Sequence, residues 1–186
     1  MTKDYNPGNQ LNDISSMIME QINAELKVMK NDTSPAKQYK FWFRKEAEIF
    51  HDVNKELSEK VSVRTYAEIK QCFINCFRGL DPGMKYFEGY VWSIDIPIPL
   101  EHSWLVKDEQ VIDPTLIISG DRLKKQQKKY IKKGYRLPSS NDRYRLGDEY
   151  AGVEIPKAWL FKECLKTKKS GPHLFNYFME MDFGRY

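Results

Sequence analysis

The stretch Glu101-His102-Ser103-Trp104-Leu105-Val106-Lys107-Asp108-Glu109-Gln110-Val111-Ile112-Asp113-Pro114-Thr115 decides the reading of this chain. Two short runs of aromatic and β-branched residues flank a polar tetrad, the pattern of an antiparallel hairpin. A two- or four-residue turn centred between Asp108 and Glu109 pairs Val106 with Val111 and Trp104 with Asp113. Side chains alternate faces along a strand, so this register puts His102, Trp104 and Asp113 on one face, with Asp113 diagonal to His102. A slip of one residue would separate them. A carboxylate bonded to one imidazole nitrogen fixes the tautomer and leaves the other nitrogen to act as a base.

Such a base needs a nucleophile, and Lys70-Gln71-Cys72-Phe73-Ile74-Asn75-Cys76 supplies two thiols upstream. Whether Cys72 is activated depends on where its helix begins. Thr65-Tyr66-Ala67-Glu68 matches a capping box that would start a helix at Tyr66 and leave Cys72 in its middle. The alternative is an extended lead-in over Val61 to Ile69 with the helix starting near Gln71. Cys72 then sits at a helix N-terminus, where the dipole favours thiolate. Both readings stand on the sequence.

Around this centre the chain reads as α+β. Leu11, Ile14, Ile18, Ile22, Leu26 and Met29 recur at helical spacing, with Asn9 or Asn12 as cap. Ser34 and Pro35 suit the N-cap and first position of a second helix, with Tyr39, Phe43, Phe50, Val53 and Leu57 along one face. These two helices form a hairpin over residues 1–60, ahead of a core over residues 61–186. After the turn Asp81-Pro82-Gly83, strands are expected over Lys85 to Ile94, Leu100 to Val106 and Val111 to Asp113, bounded by Pro97, Pro99 and Pro114. A lysine-rich helix from about Asp121 to Lys133, a polar loop from Pro138 to Asp148, a helix near Pro156 to Lys166 and an aromatic C-terminal stretch from Leu174 to Phe183 follow. Helices followed by a meander exclude a βαβ alternation. No Gly-rich phosphate loop is present, which removes most nucleotide-binding readings.

Composition sets the outer bounds. Hydrophobic residues make up 41% and charged residues 30%, enough for one folded domain with a solvated surface. Every apolar run is cut by charge well short of a membrane span, and the polar start Met1 to Gln10 lacks a secretory pattern. Three cysteines, with Cys72 and Cys76 only four apart, fit a reducing cytoplasm better than a disulfide framework. Cys72, Cys76 and His102 are too few, and lack a second paired cluster, for structural zinc. No metal or other cofactor is therefore expected. Cys76 and Cys164 read as small buried hydrophobes, His51 and His173 as isolated and incidental, and Glu88 as structural.

His102-Ser103-Trp104 followed by Val111-Ile112-Asp113-Pro114-Thr115 resembles the His-Ala-Trp … Asp-Pro-Thr signature of the transglutaminase-like, papain-related superfamily, and the order Cys, His, Asp is also that superfamily's. Cys72-Phe73-Ile74-Asn75, Tyr86-Phe87-Glu88-Gly89-Tyr90 and Tyr150-Ala151-Gly152-Val153 add a closer likeness to small uncharacterised bacterial and phage proteins. The likeness covers roughly residues 70 to 160. It implies a helix carrying the cysteine packed on an antiparallel meander, with Cys72 as nucleophile, His102 as base and Asp113 as its orienter. It also implies cysteine-dependent acyl transfer: amide or ester hydrolysis, deamidation or transfer to an amine. Gln71, Asn75 and Trp104 are candidates for oxyanion or substrate contact, although Asn75 also reads as structural. A viral source would place the protein in the host cytoplasm.

One further segment stands out. Arg122, Lys124, Lys125, Lys128, Lys129, Lys132, Lys133 and Arg136 form a dense cationic run with Tyr130 and Tyr135 interleaved, inserted between the Asp113 and Tyr150 motifs. Burial within it is limited to Leu123, Tyr130 and Ile131. It reads either as a solvated helix face or as a surface for nucleic acid or an acidic protein, so a non-enzymatic binding protein on the same scaffold is the alternative function. Its position would also let it border the cleft and select an anionic substrate.

Overall fold

A computed structural model describes residues 16–94, 96–134 and 146–183. Its elements run α1 (Met17–Val28), α2 (Pro35–Glu46), β1 (Glu48–Phe50), α3 (Lys55–Arg64), α4 (Cys72–Gly79), β2 (Lys85–Ser93), β3 (Ile96–Lys107), β4 (Gln110–Ile112), α5 (Gly120–Lys132), β5 (Glu149–Glu154), α6 (Lys157–Thr167) and α7 (Leu174–Phe183). The architecture is α+β, built on one antiparallel sheet in the order β1-β5-β2-β3-β4.

The decisive hairpin has the expected register. Val106 faces Val111 and Lys107 faces Gln110, leaving Asp108 and Glu109 as a two-residue turn with φ of 51° and 61°. Positive φ at both central residues matches the right-handed twist of the strands they join.

The sheet curls until its edges nearly meet, and one short segment spans both. β1 pairs with β5 at one edge. A few residues on, Asn54 N–H donates to Val111 O and Val111 N–H to Asp52 O, each at 2.8 Å, so residues 52–54 run along β4 at the other edge. This corrects the expected second helix. α2 ends at Glu46, and Phe50, Val53 and Leu57 belong to β1, to the edge segment and to α3. Their helix-like spacing reflects a different partner: Phe50 and Val53 pack inside the curl with Phe87, Val106, Val111, Trp104 and Tyr150. Unpaired edge groups outcompete helix continuation here, because each buried N–H and C=O needs a partner.

Inside the curl, Phe87 stacks on Trp104 at 6.1 Å and Tyr150 meets Trp104 edge-on at 5.3 Å. Gly152 makes room for this layer, since a Cβ there would stand 2.5 Å from the Trp104 ring. The outer face carries Tyr86, Leu105, Ile112, Ala151 and Val153, which share one apolar cluster with Ile18, Ile22 and Leu26 of α1, Phe43 of α2, Cys76 of α4 and Leu174 of α7. The N-terminal hairpin of α1 and α2 is thus packed on the sheet.

Two buried strand carboxylates fasten helices to that outer face. Glu149 accepts hydrogen bonds from Met17 N and Ile18 N at 3.0 and 3.1 Å, at the start of α1, and from the Ser16 hydroxyl. Ser16 itself caps α1, so the expected caps Asn9 and Asn12, with Leu11 and Ile14, lie outside the described residues. Glu88 accepts from His173 N and Leu174 N at 2.6 and 2.8 Å, at the start of α7, and from the Tyr86 hydroxyl at 2.7 Å. A carboxylate at a helix N-terminus meets both orphan donors and the positive end of the dipole.

Other sequence expectations divide. Ser34 caps α2 with Pro35 in its first turn. Thr65 closes α3 as its C-cap instead of opening a helix, while Gln71 is the N-cap of α4. Pro97 and Pro99 fall inside β3, on the stretch before its long pairing with β2. α5 buries Leu123 and Tyr130 against Ala67, Ile69 and Ile118, but Ile131 is exposed. Tyr135, Arg136 and most of the polar loop from Pro138 lie outside the described residues. Among the described residues no helix is long and apolar enough to cross a membrane.

Burial lifts the Glu88 pKa to about 7, against the pull of its bonds from Tyr86, His173 and Leu174. The folded protein therefore holds a proton that the unfolded chain has released, and stability falls as pH rises from the ordinary glutamate value toward 7. Glu88→Gln, isosteric and always neutral, is expected to flatten that decline in unfolding midpoints measured from acid to neutral pH. An unchanged slope would show that another group is responsible.

Candidate functional site

α4 carries the nucleophile candidate at its first position. Cys72 opens the helix behind Gln71, which makes no side-chain cap hydrogen bond, so side-chain capping does not occupy the first-turn N–H groups. The approach is strained: Tyr66 and Lys70 sit at φ of 53° and 59° in the left-handed region, two non-glycine outliers in the six residues before Cys72. Such outliers persist only where surrounding contacts enforce them, and they concentrate at functional sites. α5 provides those contacts: Gln126 accepts from Ile69 N at 2.7 Å and donates to Ala67 O at 2.9 Å.

His102 lies on β3 opposite Gly89 of β2, almost wholly buried. Its Nε2 is 2.8 Å from Asp113 Oδ2. The Cys72 thiol lies near enough to the same ring to raise its pKa, and with Nε2 engaged by Asp113 the other ring nitrogen is Nδ1. The structure thus brings Cys72, His102 and Asp113 together in the predicted order. Desolvation of the ring favours proton loss, but the negative charge of Asp113, with Cys72 beside it, outweighs this and raises the His102 pKa to about 10. Burial likewise disfavours the Asp113 carboxylate, yet His102 and the N–H groups of Leu116 and Thr115 pull its pKa below the usual range.

Asp113 has a fourth donor that sequence reasoning missed. The Tyr150 hydroxyl donates to Oδ2 at 3.0 Å and accepts from Gly147 N at 2.9 Å. Tyr150 stood in a quoted motif, but nothing in the spacing says that β5 crosses behind the His–Asp pair.

The remaining candidates change roles. Asn75 is buried, and its amide is used up: Oδ1 accepts from Glu68 N at 3.1 Å, while Nδ2 donates to Glu68 O at 2.7 Å and Thr115 Oγ1 at 3.0 Å. It cannot also serve an oxyanion. Trp104 is fully buried beneath the site, so it supports the pair from within and meets no substrate. Gln71 is exposed at the helix start, with a long 3.4 Å bond from Nε2 to Tyr130 Oη. Cys76, one turn further along α4, donates to Ser103 O at 3.2 Å, and burial pushes its thiol pKa far up. Among the described residues no group of three or more His, Cys, Asp or Glu side chains is placed to hold a metal ion.

His173 is not the isolated residue expected. It is buried, with Nε2 at 3.5 Å from Cys164 Sγ and 3.1 Å from Lys169 O. A carbonyl only accepts, so Nε2 carries a proton and cannot take one from Cys164. This second thiol–imidazole contact is structural. His51 is exposed, with Nδ1 3.2 Å from Asp148 O. Two surface hollows of about 970 and 550 Å³ lie between α2 and α7 and beside the α3–α4 junction, and neither includes Cys72.

Comparisons with protein-family models, with curated proteins and with solved structures find no match to this chain.

The His102–Asp113 pair makes a pH-dependent contribution to stability. Asp113, with a depressed folded pKa, contributes above its ordinary value of 3.8 and loses this as pH falls through the folded value. His102, with a raised one, contributes below its ordinary value of 6.5 and loses this as pH rises through the folded value. Asp113→Asn is expected to cost about 3 kcal/mol between those limits, and the gap from wild type should narrow on both sides. Tyr150→Phe should cost about 1–2 kcal/mol. Denaturant unfolding of all three proteins across pH checks both; a pH-independent gap for Asp113→Asn would dismiss the ion pair.

Proposed function

We propose that this chain is a cysteine-dependent acyl-transfer enzyme, acting on an amide or ester through Cys72, His102 and Asp113. The observation that carries the reading is the Cys72 thiol, half-buried at the start of α4 and beside an imidazole whose Nε2 meets a buried carboxylate. Each part has a chemical task. Cys72 Sγ attacks the carbonyl carbon with its proton already held on the His102 imidazole. The first-turn N–H groups of α4 face the charge developing on the carbonyl oxygen. His102 then returns the proton to the departing amine or alcohol as the carbon–heteroatom bond breaks. Water, or a second amine, attacks the thioester and releases the acyl group. Asp113 stays ionised throughout and holds the ring.

The likeness of the motifs around Cys72, His102 and Asp113 to transglutaminase-like enzymes supports the same chemistry. A buried, fully bonded carboxylate behind a histidine is also costly to maintain as packing alone.

The test is iodoacetamide labelling of each cysteine, read by mass spectrometry across pH. Cys72 is expected to react fastest, already at about pH 6, and His102→Ala should slow it by about tenfold or more, since a cationic neighbour is what favours the thiolate. Labelling of Cys72 no faster than that of half-buried Cys164, with no effect of His102→Ala, would sink the enzyme reading in favour of a non-enzymatic scaffold.

A further inference from the structure

The lysine-rich helix is arranged more specifically than its composition requires. Residues 120–133 carry seven basic side chains against one acidic one, more than the chain's whole net charge of +4, so the rest of the molecule is net acidic. The basic residues divide by helix face. Leu123, Gln126 and Tyr130 face the protein, and Arg122 and Lys129 turn along the same flank to Glu59 and Glu68. Lys125, Lys128 and Lys132, spaced three and four apart, form a stripe on the opposite, exposed side. Among the described residues no ion pair engages these three.

The helix is also tied to the nucleophile. Gln126 clamps the backbone at Ala67 and Ile69, Lys129 grips Glu68, and Tyr130 Oη meets Gln71, the residue before Cys72. A ligand seated on the stripe would therefore lie on the element that braces the start of α4.

We infer that α5 is a docking surface for an acidic polypeptide segment, which presents a neighbouring amide to Cys72. The thirteen residues of α5 give a rod of about 20 Å, matched by about six residues of extended chain. Carboxylates along that segment meet the lysine stripe as compact point charges. Nucleic acid is the poorer fit: the described part of the helix offers no exposed aromatic side chain for stacking, since Tyr130 is buried. Its phosphodiesters also carry no acyl group. The choice of a polypeptide rests on the acyl-transfer reading, and binding can be measured without any chemistry.

The experiment uses the full chain with Cys72→Ser and fluorescence anisotropy at low salt. The probes are a labelled peptide of about ten Asp and Glu residues and an oligothymidylate of about the same charge, each long enough to outrun the stripe. The peptide is expected to bind, and Lys125→Glu, Lys128→Glu and Lys132→Glu together should raise its Kd by at least about tenfold. Reversing Lys27, Lys55 and Lys162, which are exposed on other helices, changes net charge equally and should raise it by less than about threefold. In the Cys72 protein, bound peptide should slow iodoacetamide labelling of that thiol. No peptide binding, equal loss in both triple variants, or tighter binding of the oligothymidylate would overturn the inference. Peptide binding with an unactivated Cys72 would uphold the docking surface while the acyl-transfer reading failed.

Discussion

The Asp113 carboxylate is the constraint around which this molecule is arranged. It has no exposed surface and meets donors from four places: His102 on β3, Tyr150 on β5, and the backbone N–H groups of Thr115 and Leu116 just beyond it. Its own N–H donates to Ser58 Oγ on α3 at 2.9 Å. Stripping water from a carboxylate costs several kcal/mol, recovered only if every lone pair finds a well-placed partner. An apolar residue at this point would need no such network. The sheet curl, the position of α3 and the β5 tyrosine all answer to one ion.

The curl also separates two kinds of buried acid. Asp113 faces inward with His102, beside the Trp104, Phe87 and Tyr150 rings. Glu88 and Glu149 face outward and cap α7 and α1. The inner acid is paired with a cation and its pKa is depressed, while Glu88, served by neutral donors only, is raised by burial. Buried carboxylates of one sheet thus differ because one has a counter-charge and the other a helix end. The first arrangement can move protons with a thiol nearby; the second fastens a helix.

Much of this was legible in the sequence, for identifiable reasons. Period-two alternation and a polar tetrad fixed the hairpin, and parity alone placed His102 and Asp113 on one face. The Ser34-Pro35 start of α2 was legible because capping is local chemistry. What failed was whatever depends on a distant partner. Phe50, Val53 and Leu57 keep helical spacing, yet residues 48–54 close both sheet edges, and only the edges reveal that need. Thr65-Tyr66-Ala67-Glu68 has the letters of a capping box, but α3 arrives from upstream and ends there. Tyr150 and His173 acquire their partners across 37 and 85 residues of chain, beyond the reach of any local pattern.

Asn75 shows how such distant contacts set the chemistry. It lies one turn beyond Cys72 on α4, and its amide joins Glu68 on the strained approach to Thr115, two residues past Asp113. The Asp113-Pro114-Thr115 turn is held from other sides as well, by Ser58 on Asp113 N and by Ser62, whose hydroxyl donates to Pro114 O at 2.5 Å and accepts from Arg122 of α5. α3, α4 and α5 therefore converge on the three residues that also orient His102. This turn therefore helps fix where Cys72 of α4 stands relative to His102 on the inner face of the sheet. A side chain first considered as an oxyanion donor works instead as the brace that keeps the thiol within reach of its base.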